Sequence, residues 1–259
     1  MNQAERRVYL IHTLLSERPS CRRQEIPKDA ARQRVLLRGL MNVRPAKQIS
    51  PEFLSVQDEY LRQELSEAGV THVEDLQPVS GDLYLWQGDI TKLSCGAIVN
   101  AANSGMTGCY VPNHACIDNC IHTYAGVQLR LDCAEIMEKQ GHEEPTGQAK
   151  LTRAYNLPCS FVLHTVGPIV TGEPTKEDEQ LLASCYRSCL SLAEENGVKS
   201  IAFCCISTGV FGFPQEEAAS IAVATVCRWL NEHPDVPMTV VFNVFSETDE
   251  SLYRPLLGL

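Results

Sequence analysis

Three things are missing from this chain of 259 residues. It has no uninterrupted apolar run near the roughly 20 residues that a membrane-spanning helix needs, so no membrane partner is expected. It has no excess of positive charge. The formal net charge is −10, and such a field repels phosphate backbones. General nucleic-acid binding is therefore disfavoured, while a small nucleotide held by backbone amides stays compatible. It also has no internal repeat and no low-complexity segment. The opening residues, Met1 to Tyr9, carry Glu5, Arg6 and Arg7 with no long apolar segment behind them. They do not read as a secretory signal, and a cytoplasmic protein is the expectation.

What is present is ordinary for a soluble globular chain, with 44% hydrophobic and 21% charged residues, a balance that allows a sizeable core. The length suits one large α/β domain, or one domain with a smaller appendage. Twelve cysteines are many, but they show no small-domain disulfide framework, and in a reducing compartment they are thiols. Cys185, Cys189, Cys204, Cys205 and Cys227 sit inside apolar patterns, where cysteine packs as a small hydrophobe.

Residues 1–78 read as a helical extension. "AERRVYLIHTLLSER" places Val8, Ile11, Leu14 and Leu15 at helical spacing, and "DAARQRVLLRGLMNVR" does the same with Val35, Leu36, Leu40 and Val43. "SPEFLSVQDEYLRQELSEAG" predicts a helix with Ser50 as N-cap, Pro51 at its first position and Gly69 as its stop. Three such helices could form a small bundle or pack on the remainder of the chain. Pro78 and Gly81 mark the expected boundary of a second unit, residues 79–259.

From Asp82 the pattern alternates. "LYLWQGDIT", "GAIVNAAN", "KLTRAYNL", "FVLHTVGP", "SIAFCCIST" and "TVVFNVFS" read as short buried strands. Helical stretches lie between them: "HACIDNCIHTYAGVQLRLDCAEIMEKQG", read as one helix, then "EDEQLLASCYRSCLSLAEENG" and "PQEEAASIAVATVCRWLNEHP". The expected architecture is a three-layer α/β/α unit with a mixed central sheet. Ligands in such sheets sit at the carboxyl ends of strands. Two loops qualify, the one after "GAIVNAAN" and "STGVFGFP". In the latter, Gly209 and Gly212 allow close approach of backbone amides to an anion, and a helix opens at Pro214.

The first loop, "GMTGCYVPNHACIDN", holds Cys109, His114 and Cys116 within eight positions. Two thiols and an imidazole suit a zinc ion, and three protein ligands leave one position open. Cys116 near a helix start is placed where the dipole favours a thiolate. The same residues can also be ordinary packing groups, a structural site completed by Cys120 or His122, or a disulfide between Cys109 and Cys116.

Taken together, "GDIT", "AIVNAAN", "IDNCIHTYAG", "HTVGP" and "STGVFGFP" resemble, in family order across roughly residues 82 to 250, the macrodomain family of ADP-ribose-binding modules. The family's usual glycine run after Asn-Ala-Ala-Asn is absent. The Cys-x4-His-x-Cys stretch in its place resembles the zinc-dependent branch of bacteria and fungi, as does the helical extension. The resemblance implies a hydrolase that removes ADP-ribose from mono-ADP-ribosylated protein through an Asp or Glu ester. It implies one Zn2+ per chain on Cys109, His114 and Cys116. The implied acceptors include a lipoyl-carrier protein modified by a sirtuin-like transferase.

The resemblance also implies residue roles. Asp89 accepts from the adenine amine, and Ile90 offers a backbone amide. Asn103 meets the distal ribose, and Asp118 orients groups beside the diphosphate and distal ribose. Ser207, Thr208, Gly209, Val210, Phe211 and Gly212 wrap the diphosphate, with Phe211 placed to stack on the distal ribose. His122 reads as a core histidine, and Trp86, Tyr155 and Trp229 as structural. Two other functions fit the same residues: a non-catalytic reader of ADP-ribose, and a hydrolase of small esters such as O-acetyl-ADP-ribose.

Overall fold

The computed structural model describes residues 1–18 and 25–259. Three helices open the chain: α1 (Gln3–Ser16), α2 (Ala30–Asn42) and α3 (Pro51–Ala68). Each N-terminus is closed by a side chain, Asn2, Asp29 or Ser50, which accepts from a backbone N–H of the first turn. Ser50, Pro51 and Gly69 take the positions that their residue types predict. The helices bury a core of their own that includes Leu10, Ile11, Leu14, Leu37, Leu40, Met41 and Phe53. Val8 and Val35 lie outside it, with Val35 58% exposed. Helix α2 carries two overlapping apolar stripes, and the one that meets α1 and α3 runs through Leu37, Leu40 and Met41.

Short pieces come next: β1 (Thr71–His72), β2 (Pro78–Ser80), β3 (Leu83–Gln87), a 3-10 turn at Ile90–Lys92 and β4 (Leu93–Ser94). After them come β5 (Ala97–Ala102), α4 (Ile117–Ala125), α5 (Val127–Gln140), β6 (Ala149–Arg153) and β7 (Phe161–Val166). The chain closes with α6 (Lys176–Glu195), β8 (Ser200–Phe203), α7 (Gln215–Glu232), β9 (Thr239–Val244) and α8 (Glu247–Leu256). Strands β1 and β4 form a separate parallel pair. The main sheet has seven strands in the order β2-β3-β9-β8-β5-β7-β6. Its five central strands are parallel, and only the edge strands β2 and β6 run antiparallel. The mixed sheet matches the expected class. The five parallel strands end on one side, so the loops after β3, β5, β7 and β8 share one edge of the sheet.

The segment read as one helix from His114 to Gly141 is two helices. The break is Gly126, whose φ of +101° a side-chain-bearing residue rarely adopts. A Cβ there would lie 2.5 Å from Gln57 Nε2. Gln57, fully buried in α3, uses the space to cap α5: its Oε1 accepts from Val127 N at 3.0 Å, and its Nε2 donates to Gln128 Oε1 at 2.7 Å. Helix α8 has no counterpart among the elements expected from sequence, because its acidic first turn and internal Pro255 hide it. All cysteines among the described residues are free thiols, and Cys21 lies outside those residues.

Gly126→Ala should lower unfolding free energy by about 2 kcal/mol or more, through positive-φ strain and loss of the Gln57 cap. A urea titration followed by circular dichroism measures it.

Candidate active site

Strand β5 reads Ala-Ile-Val-Asn-Ala-Ala, and Asn100 is its one strongly polar residue, fully buried. A buried amide must be hydrogen-bonded to be tolerated. Its Nδ2 donates to Asp118 Oδ1 at 2.9 Å and lies 3.1 Å from His164 Nδ1. A carboxylate only accepts, so the amide turns its nitrogen toward Asp118. The second N–H then faces His164 Nδ1, which must be the bare nitrogen of a neutral ring. The ring proton is therefore on Nε2, 2.9 Å from Thr152 Oγ1. Burial holds the ring neutral, lowering it to about 3.

Asp118 sits in the first turn of α4, where a helix favours a negative charge. Its Oδ2 accepts from Asn103 Nδ2 at 3.3 Å. The Asn103 amide is also fixed by donation to Gly108 O at 3.2 Å and by acceptance from Gly105 N at 3.0 Å. Burial pushes the Asp118 carboxyl up to about 6, against the opposing pull of Asn100, Arg130 and Asn103. Asn103 and Asp118 are thus brought into contact.

Cys109, His114 and Cys116 converge on the same corner. One ligand atom from each lies within 4.8 Å of the others, and all three residues are half-buried. Cys109 Sγ is 3.6 Å from His114 Nδ1. Cys116 is the N-cap of α4, its sulfur accepting from Asn119 N at 3.4 Å. Asn119 also ties down the loop, donating through Nδ2 to Val111 O at 3.0 Å and to Cys109 O at 3.3 Å. The dipole effect expected at Cys116 is outweighed: burial, then the neighbouring Cys109 and Asp118, push this thiol up to about 12. Two facing thiols and an imidazole suit a soft or borderline dication, which deprotonates coordinating thiols. Neither Cys120 nor His122 joins the cluster; the Cys120 sulfur faces Arg38 at 3.5 Å.

His122 packs inward as a core residue. Both its ring nitrogens lack a hydrogen-bond partner. Its Nε2 stands 3.6 Å from Asp118 Oδ1. Burial, His164 and Arg130 keep it neutral, so the contact is not an ion pair. His122, Cys133 and His164 form a second close group of ligand types. The Arg130 charge and the Thr152 bond to His164 both oppose a cation there.

The loop after β8 is shaped by two left-handed residues, Ser207 at φ +66° and Gly212 at φ +72°. A Cβ at Gly212 would lie 2.8 Å from Val170 O. Phe213 N donates to Ser207 O at 3.0 Å, and Gly212 N to Gly209 O at 3.1 Å. The buried Ser207 Oγ has no partner. Thr208 Oγ1 donates to Cys205 O at 3.0 Å, and Val210 is exposed at the tip. Phe211 packs on Ala102, Met106 and Val166, while Phe213 is core. Helix α7 has no side-chain cap at Pro214, so its first N–H groups face the loop, although Glu216 and Glu217 offset the dipole.

Asp89, at the end of β3, caps the 3-10 turn: its Oδ1 accepts from Thr91 N at 3.0 Å and from Thr91 Oγ1 at 2.6 Å. Its Oδ2 lies 3.9 Å from Lys92 Nζ. Its charge reaches Cys120 and Tyr124 on α4. Ile90 is buried. Trp229 is buried against His233, and Tyr155 donates to Asp132.

Sequence reasoning did not single out Thr152, His164, Asn119 or Arg130. For His164 the signal was available, since histidine in "FVLHTV" interrupts a buried strand.

The described tautomer predicts that an imidazole 15N spectrum shows His164 protonated on Nε2 alone. It also carries a pH dependence. His164 binds its proton less tightly when folded than at the ordinary value of about 6.5. Its contribution to stability is therefore present above pH 6.5 and is lost as pH falls toward 3. Between pH 7 and pH 5 the loss should be on the order of 2 kcal/mol. His164→Gln should flatten the slope of unfolding free energy against pH over that range. The difference between the two curves isolates His164 from Asp118, whose raised carboxyl works in the opposite sense.

A Macro domain family model matches residues 99–222. A protein-ADP-ribose hydrolase of Treponema medium is 60% identical over 262 aligned positions, covering 100% of both chains. A protein-ADP-ribose hydrolase of Staphylococcus aureus (strain Mu50 / ATCC 700699) is 51% identical, covering 96% of this chain and 94% of its own. The crystal structure of the Trypanosoma brucei macrodomain in complex with ADP-ribose superimposes with a TM-score of 0.67 at 32% identity, covering 90% of this chain and 97% of that one. With this sheet, these loops and relatives aligned from end to end, the chain belongs to the macrodomain family.

Proposed function

We propose that this chain is a zinc-dependent hydrolase that removes ADP-ribose from mono-ADP-ribosylated proteins at an ester to Asp or Glu. The carrying observation is that the Asn103–Asp118 pair and the Cys109, His114 and Cys116 cluster are built by one segment, running from the end of β5 into the first turn of α4. In support, two relatives that align over nearly all of this chain are named protein-ADP-ribose hydrolase, and the Trypanosoma brucei macrodomain is described in complex with ADP-ribose.

The overall reaction adds water across the ester that links the distal ribose to the acceptor carboxyl. The products are ADP-ribose with a free anomeric hydroxyl and an acceptor carboxylate. The work is divided among the chain's own residues. The 207–212 loop, with the uncapped start of α7, holds the diphosphate through backbone N–H groups. Asp89 keeps Oδ2 for the adenine amine, its Oδ1 being engaged by Thr91. Asn103 and Asp118 present an amide and a carboxylate to the distal ribose hydroxyls, so the sugar is held in one orientation. Zinc, when bound by Cys109, His114 and Cys116, supplies a Lewis-acid charge at the reacting oxygen. The protein works in the cytoplasm, and a lipoyl-carrier protein modified by a sirtuin-like transferase is the proposed acceptor.

The test combines a metal assay with an ADP-ribose release assay on one preparation, using an Asp- or Glu-modified protein with and without a chelator. Expected are one zinc per chain, release of free ADP-ribose, and loss of release after chelation. Binding without release would make the protein a reader. Faster turnover of O-acetyl-ADP-ribose than of modified protein would make it a small-ester hydrolase. Cys116→Ala should abolish release while leaving the fold intact, as checked by circular dichroism, and full activity in that variant refutes the zinc role. Asn103→Ala should lower kcat on the order of a hundredfold with a smaller change in KM.

A further inference from the structure

The loop that carries Cys109, His114 and Cys116 is held from two sides. Asn119 of α4 is one, and α2 of the N-terminal helices is the other. Arg38 Nη2 donates to His114 O at 2.8 Å and to Asn119 Oδ1 at 3.2 Å. Asn42 Oδ1 accepts from Asn113 N at 2.9 Å, while Asn42 Nδ2 donates to Thr123 Oγ1 at 2.8 Å. Between Arg38 and Asn42 lies Gly39, a costly residue in the middle of a helix. A Cβ there would come within 3.1 Å of Asn113 Nδ2 and 3.8 Å of Pro112 Cβ, so the glycine lets the loop lie flat on the helix. Asn113 itself has φ +57°, a conformation that persists when its surroundings over-determine it.

We propose that Arg38 and Asn42 are positioning residues for the metal ligands, so that α2 forms half of the metal site without touching the metal. They fix the two residues that precede Ala115 and Cys116, and with them the distance of the His114 ring from both sulfurs. Neither makes contact with the ligand-bearing atoms, and both act through the loop backbone. The inference rests on the proposed zinc role, and it assigns a purpose to helices that otherwise lie outside the sheet.

Charge alone predicts the opposite. A guanidinium beside a dication site repels the ion, so removing it would tighten binding. Positioning predicts weaker binding, because an unanchored loop must be ordered when the metal arrives. The sign of the change therefore separates the two effects.

The experiment measures zinc affinity of the full chain by competition with a chromophoric chelator. It compares wild type, Arg38→Ala, Arg38→Lys and Arg34→Ala. Arg34 lies one turn earlier on α2 and pairs with Glu64, away from the loop. Arg38→Ala should bind zinc roughly ten- to a hundredfold more weakly. Arg38→Lys keeps the charge and most of the packing, but its ammonium stops one bond short of Nη2, the single nitrogen that reaches both His114 O and Asn119 Oδ1. It should also bind more weakly, and it carries the test if Arg38→Ala does not fold. Arg34→Ala should match wild type. ADP-ribose release by the Arg38 variants should return toward wild type at saturating zinc. Unchanged or tighter binding in a folded Arg38 variant overturns the inference and leaves the proposed function standing. A wild type that binds no zinc removes both.

Discussion

The carboxylate of Asp118 is the group around which this corner is organised. It is buried almost completely at the start of α4, and an isolated carboxylate in that place would be costly. Two amides make it tolerable, Asn100 from within β5 and Asn103 just beyond it. Each is held in turn, Asn100 by the His164 ring and Asn103 by the turn at Gly105 and Gly108. Four elements, β6, β7, β5 and α4, are therefore joined by one polar chain from Thr152 to Asp118. Such a chain is favourable when every member is satisfied. Its weak point is the Asn100 oxygen, buried without a partner, so only the nitrogen side fixes the amide.

Helix α4 gathers the rest. Within its first turn Cys116 caps the helix, Asp118 faces the strand ends and Asn119 grips the loop backbone. From α5, Arg130 donates to the carbonyls of Met41, Asn42 and Arg44 at the end of α2, where helix carbonyls lack internal partners. Its guanidinium also lies 4.4 Å from the centre of the Tyr110 ring in the loop that carries Cys109, His114 and Cys116. The N-terminal helices are thus bonded into the site through both α4 and α5, although they keep a hydrophobic core of their own.

The six longer strands were legible because each is a short run of apolar or β-branched residues bounded by turn residues, although β3 and β6 are half-buried and not buried as expected, and helix starts were legible where Ser50 and Pro51 announce them. The convergence of Cys109, His114 and Cys116 was legible from their spacing together with the family resemblance, since the three residues share one loop. The break at Gly126 was not, because a lone glycine in a helical pattern is often tolerated. Its reason is Gln57, 69 positions earlier. The same holds for Arg38, which reaches across 76 positions to His114. Local patterns show which elements form, but a hydrogen bond between distant elements leaves no periodicity behind. The exposed Val35 has the same cause: α2 offers two apolar stripes, and only its neighbours decide between them.

The electrostatics of the loop that carries Cys109, His114 and Cys116 are set by its packing. Burial and a facing thiol keep Cys116 protonated near neutral pH, so without a cation this thiol carries no charge to repel Asp118 two residues on. Under the proposed function, a dication held by two thiolates and a neutral imidazole would be offset in charge by its own sulfurs, so the loaded site would add no net positive charge beside Asp118. What loading requires is a loop kept in place before the metal arrives. Asn119 and the α2 anchors fill that role with backbone hydrogen bonds, which do not depend on whether the thiols are charged.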